Sequence, residues 1–223
     1  MVNKDPQKAA AEATEKDFNA QGYTLDDARH YTERRFTRDA RMRRLDAFER
    51  RFARDLLARI GSDAHVVDIP CGSGRFAEIF AAGGRVTLID LLPEMLQAAR
   101  ETVGTRDGVA FVEGDIRSIP LPDGAADLCF CMRLFHHFRG DPIRTEALEE
   151  LARVSRRFVA LSFYNQSSTR YYWRSLLRKK IRGGYITLAH LSELARAAGL
   201  RFVERRPRVN LREQQCLVLF EKS

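Results

Sequence analysis

The sequence predicts an α/β fold: a seven-stranded, mostly parallel sheet covered by helices on both faces, ending in an antiparallel hairpin and preceded by a helical cap. Three observations carry this. Between residues 65 and 163, short apolar runs of strand length alternate with amphipathic helical stretches, the pattern of crossover connections between parallel strands. The first of these runs leads into a glycine turn, Gly72-Ser73-Gly74, that opens a helix. The last two runs, 201–209 and 215–221, have only a short connection between them.

Taken in order, residues 1–25 lack periodicity and are expected to be a flexible tail. Residues 26–60 are expected to form the helical cap, with Leu45, Phe48, Phe52 and Leu56 as one apolar stripe at three- and four-residue steps. Its other faces carry Arg41, Arg43, Arg44, Arg50, Arg51 and Arg54 among Asp46, Glu49 and Asp55, and Gly61 ends it. The main domain, 61–223, then has strands expected at 65–69, 85–89, 109–113, 126–132 and 158–163. Helices are expected at 74–82, at 93–103 with Pro93 in the first turn, and at 142–155. A polar hinge at 166–169 precedes a basic helix, 171–181, which Gly183-Gly184 breaks; together 166–187 reads as a lid insertion. A helix at 188–198, closed by Gly199, leads to the final hairpin.

Hydrophobic residues make up 44% and charged residues 30% of the 223, the balance of a soluble globular protein. No apolar run approaches the length of a membrane span, and the polar, alanine-rich N-terminus has no signal-peptide pattern. The four cysteines, at 71, 129, 131 and 216, form no CxxC pair. A cytoplasmic protein with reduced, buried thiols and no metal site is expected. The net charge of +8 favours an acidic partner: an anionic small molecule, a nucleic acid or an anionic membrane surface.

The glycine turn has two readings. Glycines let ligand atoms approach the backbone, and a helix N-terminus offers unpaired N–H groups. Gly72-Ser73-Gly74-Arg75-Phe76-Ala77 satisfies the dinucleotide pattern G-x-G-x-x-A, with Asp90 about twenty residues on. That keeps an NAD-dependent oxidoreductase open as an alternative. Asp68, just before the turn, argues against it, because a carboxylate there repels a pyrophosphate. The same carboxylate favours a ligand bearing a sulfonium and an α-amino group. Asp90 ends the second strand, where a carboxylate can accept from both ribose hydroxyls. Asp115 follows the third, where it can accept from an adenine amino group with Ile116 against the ring. Three acids after three consecutive strands are more specific than the glycines.

These segments, Val66–Phe76, Leu88–Arg100, Gly114–Asp127 and Leu134–His137, resemble the class I S-adenosylmethionine-dependent methyltransferases. The closest likeness is to the group of ubiquinone/menaquinone C-methyltransferases and small-molecule O- and N-methyltransferases. The resemblance covers about residues 60–165 and implies a Rossmann-like sheet with S-adenosylmethionine as cofactor. It implies that Asp68, Gly72 and Gly74 surround the methionine part, that Asp90 holds the ribose, that Asp115 and Ile116 hold the adenine, and that Met132 lines the donor pocket; Leu91 is a further candidate cofactor contact. Pro70 departs from the family's usual glycine, fixing φ and removing a donor. The implied function is methyl transfer to oxygen, carbon or nitrogen of a small organic acceptor, with an RNA methyltransferase as the alternative that the charge favours.

Methyl transfer needs alignment in a dry pocket and, for some acceptors, a general base. His136 and His137, after the fourth strand, are the candidate bases. Arg133 is a candidate for an anionic acceptor. Tyr164, at the end of the fifth strand, and Tyr172 and Trp173, in the basic helix, are candidates for an aromatic or quinone-like one. The same helix can lie on an anionic membrane as a peripheral contact. One arginine among Arg44, Arg51 and Arg54 is expected to meet the methionine carboxylate.

Overall fold

Successive side chains of a strand point to opposite faces, so consecutive apolar residues give it two buried faces and it must be covered on both sides. Val66 and Val67 are neighbours in the first strand and lie in different apolar clusters, as do Leu128 and Phe130 against Cys129 and Cys131 in the fourth. A computed structural model, describing residues 24–177, 183–207 and 215–223, gives the architecture that follows.

The elements run α1 (Leu25–Phe36), α2 (Ala40–Ile60), β1 (Ala64–Asp68), α3 (Ala77–Ala81), β2 (Gly84–Asp90), α4 (Pro93–Val103), β3 (Val109–Glu113) and β4 (Ala126–Cys131). A 3-10 turn (Phe135–His137), α5 (Asp141–Val154), β5 (Ser155–Asn165), α6 (Thr169–Leu176), β6 (Tyr185–Ile186), α7 (Leu188–Ala197), β7 (Leu200–Pro207) and β8 (Gln215–Lys222) complete them. The strand order is β3-β2-β1-β4-β5-β8-β7. The first five strands pair in parallel, and β8 pairs antiparallel with both β5 and β7. Helices α2, α3 and α4 cover one face through Phe52, Leu56, Phe80 and Leu96; α5 and α7 cover the other through Leu148, Leu151 and Leu191.

The sheet has eight strands rather than seven. The extra one, β6, pairs in parallel with Tyr164 and Asn165 of β5, beyond Leu161, where the register with β4 ends. Its approach depends on Gly184: a Cβ there would fall 1.6 Å from the Phe138 carbonyl oxygen, and the Gly184 N–H donates to the His136 carbonyl at 2.7 Å. The single helix expected over 26–60 is two helices. Asp39 restarts the second one, its side chain accepting from the Met42 N–H at 2.8 Å. Thr24 and Asp27 exchange side-chain and backbone bonds to start α1 as a capping box. Residues 1–23 of the expected tail (1–25), the distal part of the basic helix (178–181) and residues 208–209 of the hairpin lie outside the described residues, while Thr24 and Leu25, expected in the tail, start α1.

Helix α1 packs beside the glycine turn. Ala28 is fully buried against Met95 and Ala98 of α4, Arg29 makes two 2.7 Å bonds to Glu101, and the Thr32 hydroxyl meets that of Ser73 at 2.7 Å. Among the described residues no helix is long and apolar enough to cross a membrane.

Candidate functional site

The sheet order reverses between β1 and β4, so the loops at the carboxyl ends of these strands diverge and leave a crevice. A cleft of about 270 Å³ opens there. The β1 turn supplies Pro70, Gly72, Arg75 and Phe76; β2 and the start of α4 supply Asp90, Leu92 and Met95; the β4 end supplies Met132, Arg133 and His137. Helix α1 closes one side with Tyr31, Thr32, Arg35 and Phe36.

Local geometry fixes the floor. The Ile69–Pro70 peptide is cis, and Gly72 follows at φ +54, with no atom within 4 Å of where a Cβ would lie. The Gly72 N–H donates to Asp90 Oδ2 at 2.8 Å, and the Leu92 N–H to Asp90 Oδ1 at 3.1 Å. Burial raises the Asp90 carboxyl to about 6 despite these bonds. Gly74 does different work. At φ +80, a Cβ there would meet Val103 at 3.1 Å and Ala99 at 3.3 Å, so this glycine lets α4 pack against the turn and does not line the cleft.

Asp68 lies beneath the turn, fully buried, and neither carboxylate oxygen has a hydrogen-bond partner. Burial pushes its pKa well above the usual range; Asp90 adds to this and Arg75 opposes it. An unpartnered buried carboxylate is costly to keep. Asp68 does not line the cleft; Asp90 does, and a carboxylate on the floor fits a ligand bearing hydroxyl donors better than one bearing a pyrophosphate. Gly72, Asp90 and Met132 border the cleft together.

The wall opposite is a buried ionic cluster. Glu49 of α2 is fully buried, forms an ion pair with Arg75 Nη2 at 2.6 Å, and accepts from Arg133 Nε at 3.1 Å and Gln215 Nε2 at 2.8 Å. Asp46 takes the other Arg75 nitrogen at 2.8 Å. Both guanidiniums lie against the ring of Phe36, that of Arg75 at 4.1 Å and that of Arg133 at 4.7 Å from its centroid. Arg133 itself is held at φ +61, uncommon for a side-chain-bearing residue, with its N–H donating to Ser162 Oγ at 2.7 Å. Its side chain is 9% exposed, and its Nη2 has no partner. Arg44, Arg51 and Arg54, expected near the cofactor, are exposed on α2; the cleft arginines are Arg35, Arg75 and Arg133.

Several expected site residues stand elsewhere. Leu91 is 39% exposed and Leu92 takes its place in the cleft lining. Asp115 is clamped by Arg117, whose Nη2 and Nε bond it at 2.6 and 3.1 Å; burial raises its pKa, but these bonds more than offset that and hold it low. Ile116 belongs to the core cluster. Neither of these two lines the cleft. His136 is buried off the cleft, stacked on Tyr164 at 4.3 Å, and burial pushes its pKa well down. His137 lines the cleft, its pKa lowered by desolvation and by Arg35. Tyr164 does not line it, and Tyr172 and Trp173 project into solvent from α6.

The family described as "Methyltransferase domain" matches residues 67–161 of this chain. The malonyl-[acyl-carrier protein] O-methyltransferase of Serratia marcescens is 38% identical over 92 residues, 41% of this chain and 34% of that protein. The trans-aconitate 2-methyltransferase of Paracidovorax citrulli is 42% identical over 94 residues, 40% of this chain and 35% of that protein. The chain thus spans about a third of the length of these curated relatives. The magnesium protoporphyrin IX methyltransferase of Synechocystis PCC 6803, crystallised with SAH, shares the fold at a TM-score of 0.68 and 14% identity, over 89% of this chain and 98% of that one.

Proposed function

We propose, from the premise that the chain belongs to the class I S-adenosylmethionine-dependent methyltransferases, that it methylates a carboxylate oxygen of a small organic acid. The observation that carries the acceptor class is Arg133: a buried guanidinium on the cleft wall whose Nη2 has no partner. An unpaired buried donor of this kind is offset by an anionic acceptor. The two relatives named above act, by their names, on malonyl-[acyl-carrier protein] and trans-aconitate, both acids.

Bound over Gly72 and Asp90, S-adenosylmethionine supplies a methyl group on a sulfonium leaving group. Asp90 accepts the ribose hydroxyls, and the cofactor's positive charge favours the ionised forms of Asp90 and of Asp68 beneath the turn. Arg133 donates to one oxygen of the acceptor's carboxylate and leaves the other to attack the methyl carbon. The C–O bond forms as the C–S bond breaks, and carboxylate and sulfonium are both neutralised. A carboxylate needs no base at neutral pH, which suits a site where His136 is buried off the cleft and the pKa of His137 is lowered. Phe36, Phe76 and Met132 exclude water from the reacting groups.

The test is incubation with methyl-tritiated cofactor and a panel including trans-aconitate and malonyl-[acyl-carrier protein]. A methyl ester releases its label as volatile methanol in mild alkali, whereas amine and carbon methylation do not. The expected result is alkali-labile label on at least one acid. Arg133→Gln should raise the acceptor KM at least about tenfold with SAH affinity little changed. Alkali-stable label, or a loss in SAH affinity matching the loss in activity, would contradict the carboxylate assignment.

A further inference from the structure

A helix that covers a domain turns its apolar side inward. Helix α6 does the reverse. Its inward side carries Tyr171, which packs on Tyr185 at 4.9 Å, and the half-buried Arg174. Its outward side carries Tyr172, Trp173, Leu176 and Leu177, exposed by 63%, 57%, 58% and 56%. At about 100° per residue these four span an arc of about 140°, with Arg170 and Arg174 along one edge. Among the described residues only two other large apolar side chains are exposed, and less so: Leu91 by 39% and Phe202 by 38%. No residue of α6 is buried. The exposure is therefore confined to one two-turn patch.

Charge accompanies it. The sequence contains no acidic residue between Glu150 and Glu193, yet it places six basic residues between 170 and 182: Arg170, Arg174, Arg178, Lys179, Lys180 and Arg182. We propose that α6 is a membrane-surface helix that docks the chain on an anionic bilayer, with Trp173, Leu176 and Leu177 in the acyl boundary and Arg170 and Arg174 along the headgroup edge. Aromatic and leucine residues on one face, with a basic edge and no acid, are the composition of interfacial helices. A bilayer also needs no shaped partner surface, and a convex two-turn helix offers none. A nucleic acid fits the charge and the rings but gains nothing from Leu176 and Leu177, which cannot stack on bases.

The inference is independent of the methyl-transfer reading, and its test reads no activity. Trp173 is the only tryptophan in the chain, so its fluorescence reports the patch directly. The full chain should be mixed with vesicles of phosphatidylcholine alone, or of phosphatidylcholine with an equal part of phosphatidylglycerol. Expected with the anionic vesicles are co-sedimentation, a blue shift of Trp173 emission and quenching by brominated acyl chains. Binding should weaken at least about tenfold on neutral vesicles and at least about tenfold in Leu176→Ser/Leu177→Ser. The absence of binding or of blue shift with anionic vesicles would overturn the proposal. So would affinity unchanged by the leucine substitutions but lost in Arg170→Glu/Arg174→Glu, because that pattern describes charge alone. Tighter binding to a single-stranded RNA than to anionic vesicles would assign the patch to nucleic acid instead.

Discussion

The cleft wall and helix α6 are built from the same residue types, arginine and aromatic rings, with opposite outcomes. On the wall, Arg75 and Arg133 are buried around Phe36 because Glu49 and Asp46 lie within bonding distance. Around α6 the sequence offers no acid for over forty residues, and the rings face water. Burial of arginine requires a partner anion, so the position of a few carboxylates decides which aromatic–arginine cluster becomes the wall of a site and which remains a surface. The unsatisfied capacity differs too. On the wall it is one donor, Arg133 Nη2; on α6 it is an apolar area.

The strongest way to break this comparison is to remove the anion. Glu49→Ala would leave two buried guanidiniums short of a partner. It should destabilise the fold by about 3–5 kcal/mol and lower Tm by about 10 °C or more, read by calorimetry. A change below about 1 kcal/mol would mean that the cluster is not held by Glu49. Next in size, Asp90→Ala removes the acceptor on the cleft floor and should weaken SAH binding at least about tenfold by titration calorimetry; unchanged affinity would place the ribose elsewhere.

A pH titration sharpens the same point. Asp90 has its carboxyl raised to about 6 in the unliganded fold, and hydroxyl donors favour its ionised form. SAH affinity should therefore rise as pH increases toward about 6 and level off above it. Affinity that instead falls through this window would contradict an accepting carboxylate. The smallest effect is expected on α6. Leu176→Ser/Leu177→Ser should change stability by no more than about 0.5 kcal/mol, since neither side chain packs on the domain; a larger loss would show that the patch is covered in solution.

What was legible in the sequence follows the range of the interactions involved. Strands and helices with a clean period were placed well: Pro93–Val103 and Val109–Glu113 match to the residue. That Asp90 borders the cleft follows from its place at a strand end, since strand ends converge on the crevice. The wall was not, because Glu49 meets Arg133 and Gln215 across 84 and 166 residues of chain. Periodicity shows that arginines lie on α2, but not that Arg75 and Arg133 reach its buried side from elsewhere. Asp115 had the expected position but a local rival, Arg117 two residues on, which takes its carboxylate. For α6 the pattern revealed an apolar face without telling which way it turns. The break at Asp39 rests on one capping side chain, which accepts from the Met42 N–H, and periodicity does not register it.

Whether the crevice between β1 and β4 takes the methyl-donor cofactor is settled most directly by titrating the chain with SAH and, separately, with NAD at pH 7.5 or so, well above the value for Asp90 of about 6. The arrangement of Gly72, Asp68 and Asp90 predicts saturable binding of SAH at one site and no measurable heat with NAD. Saturable binding of NAD with none of SAH would contradict it.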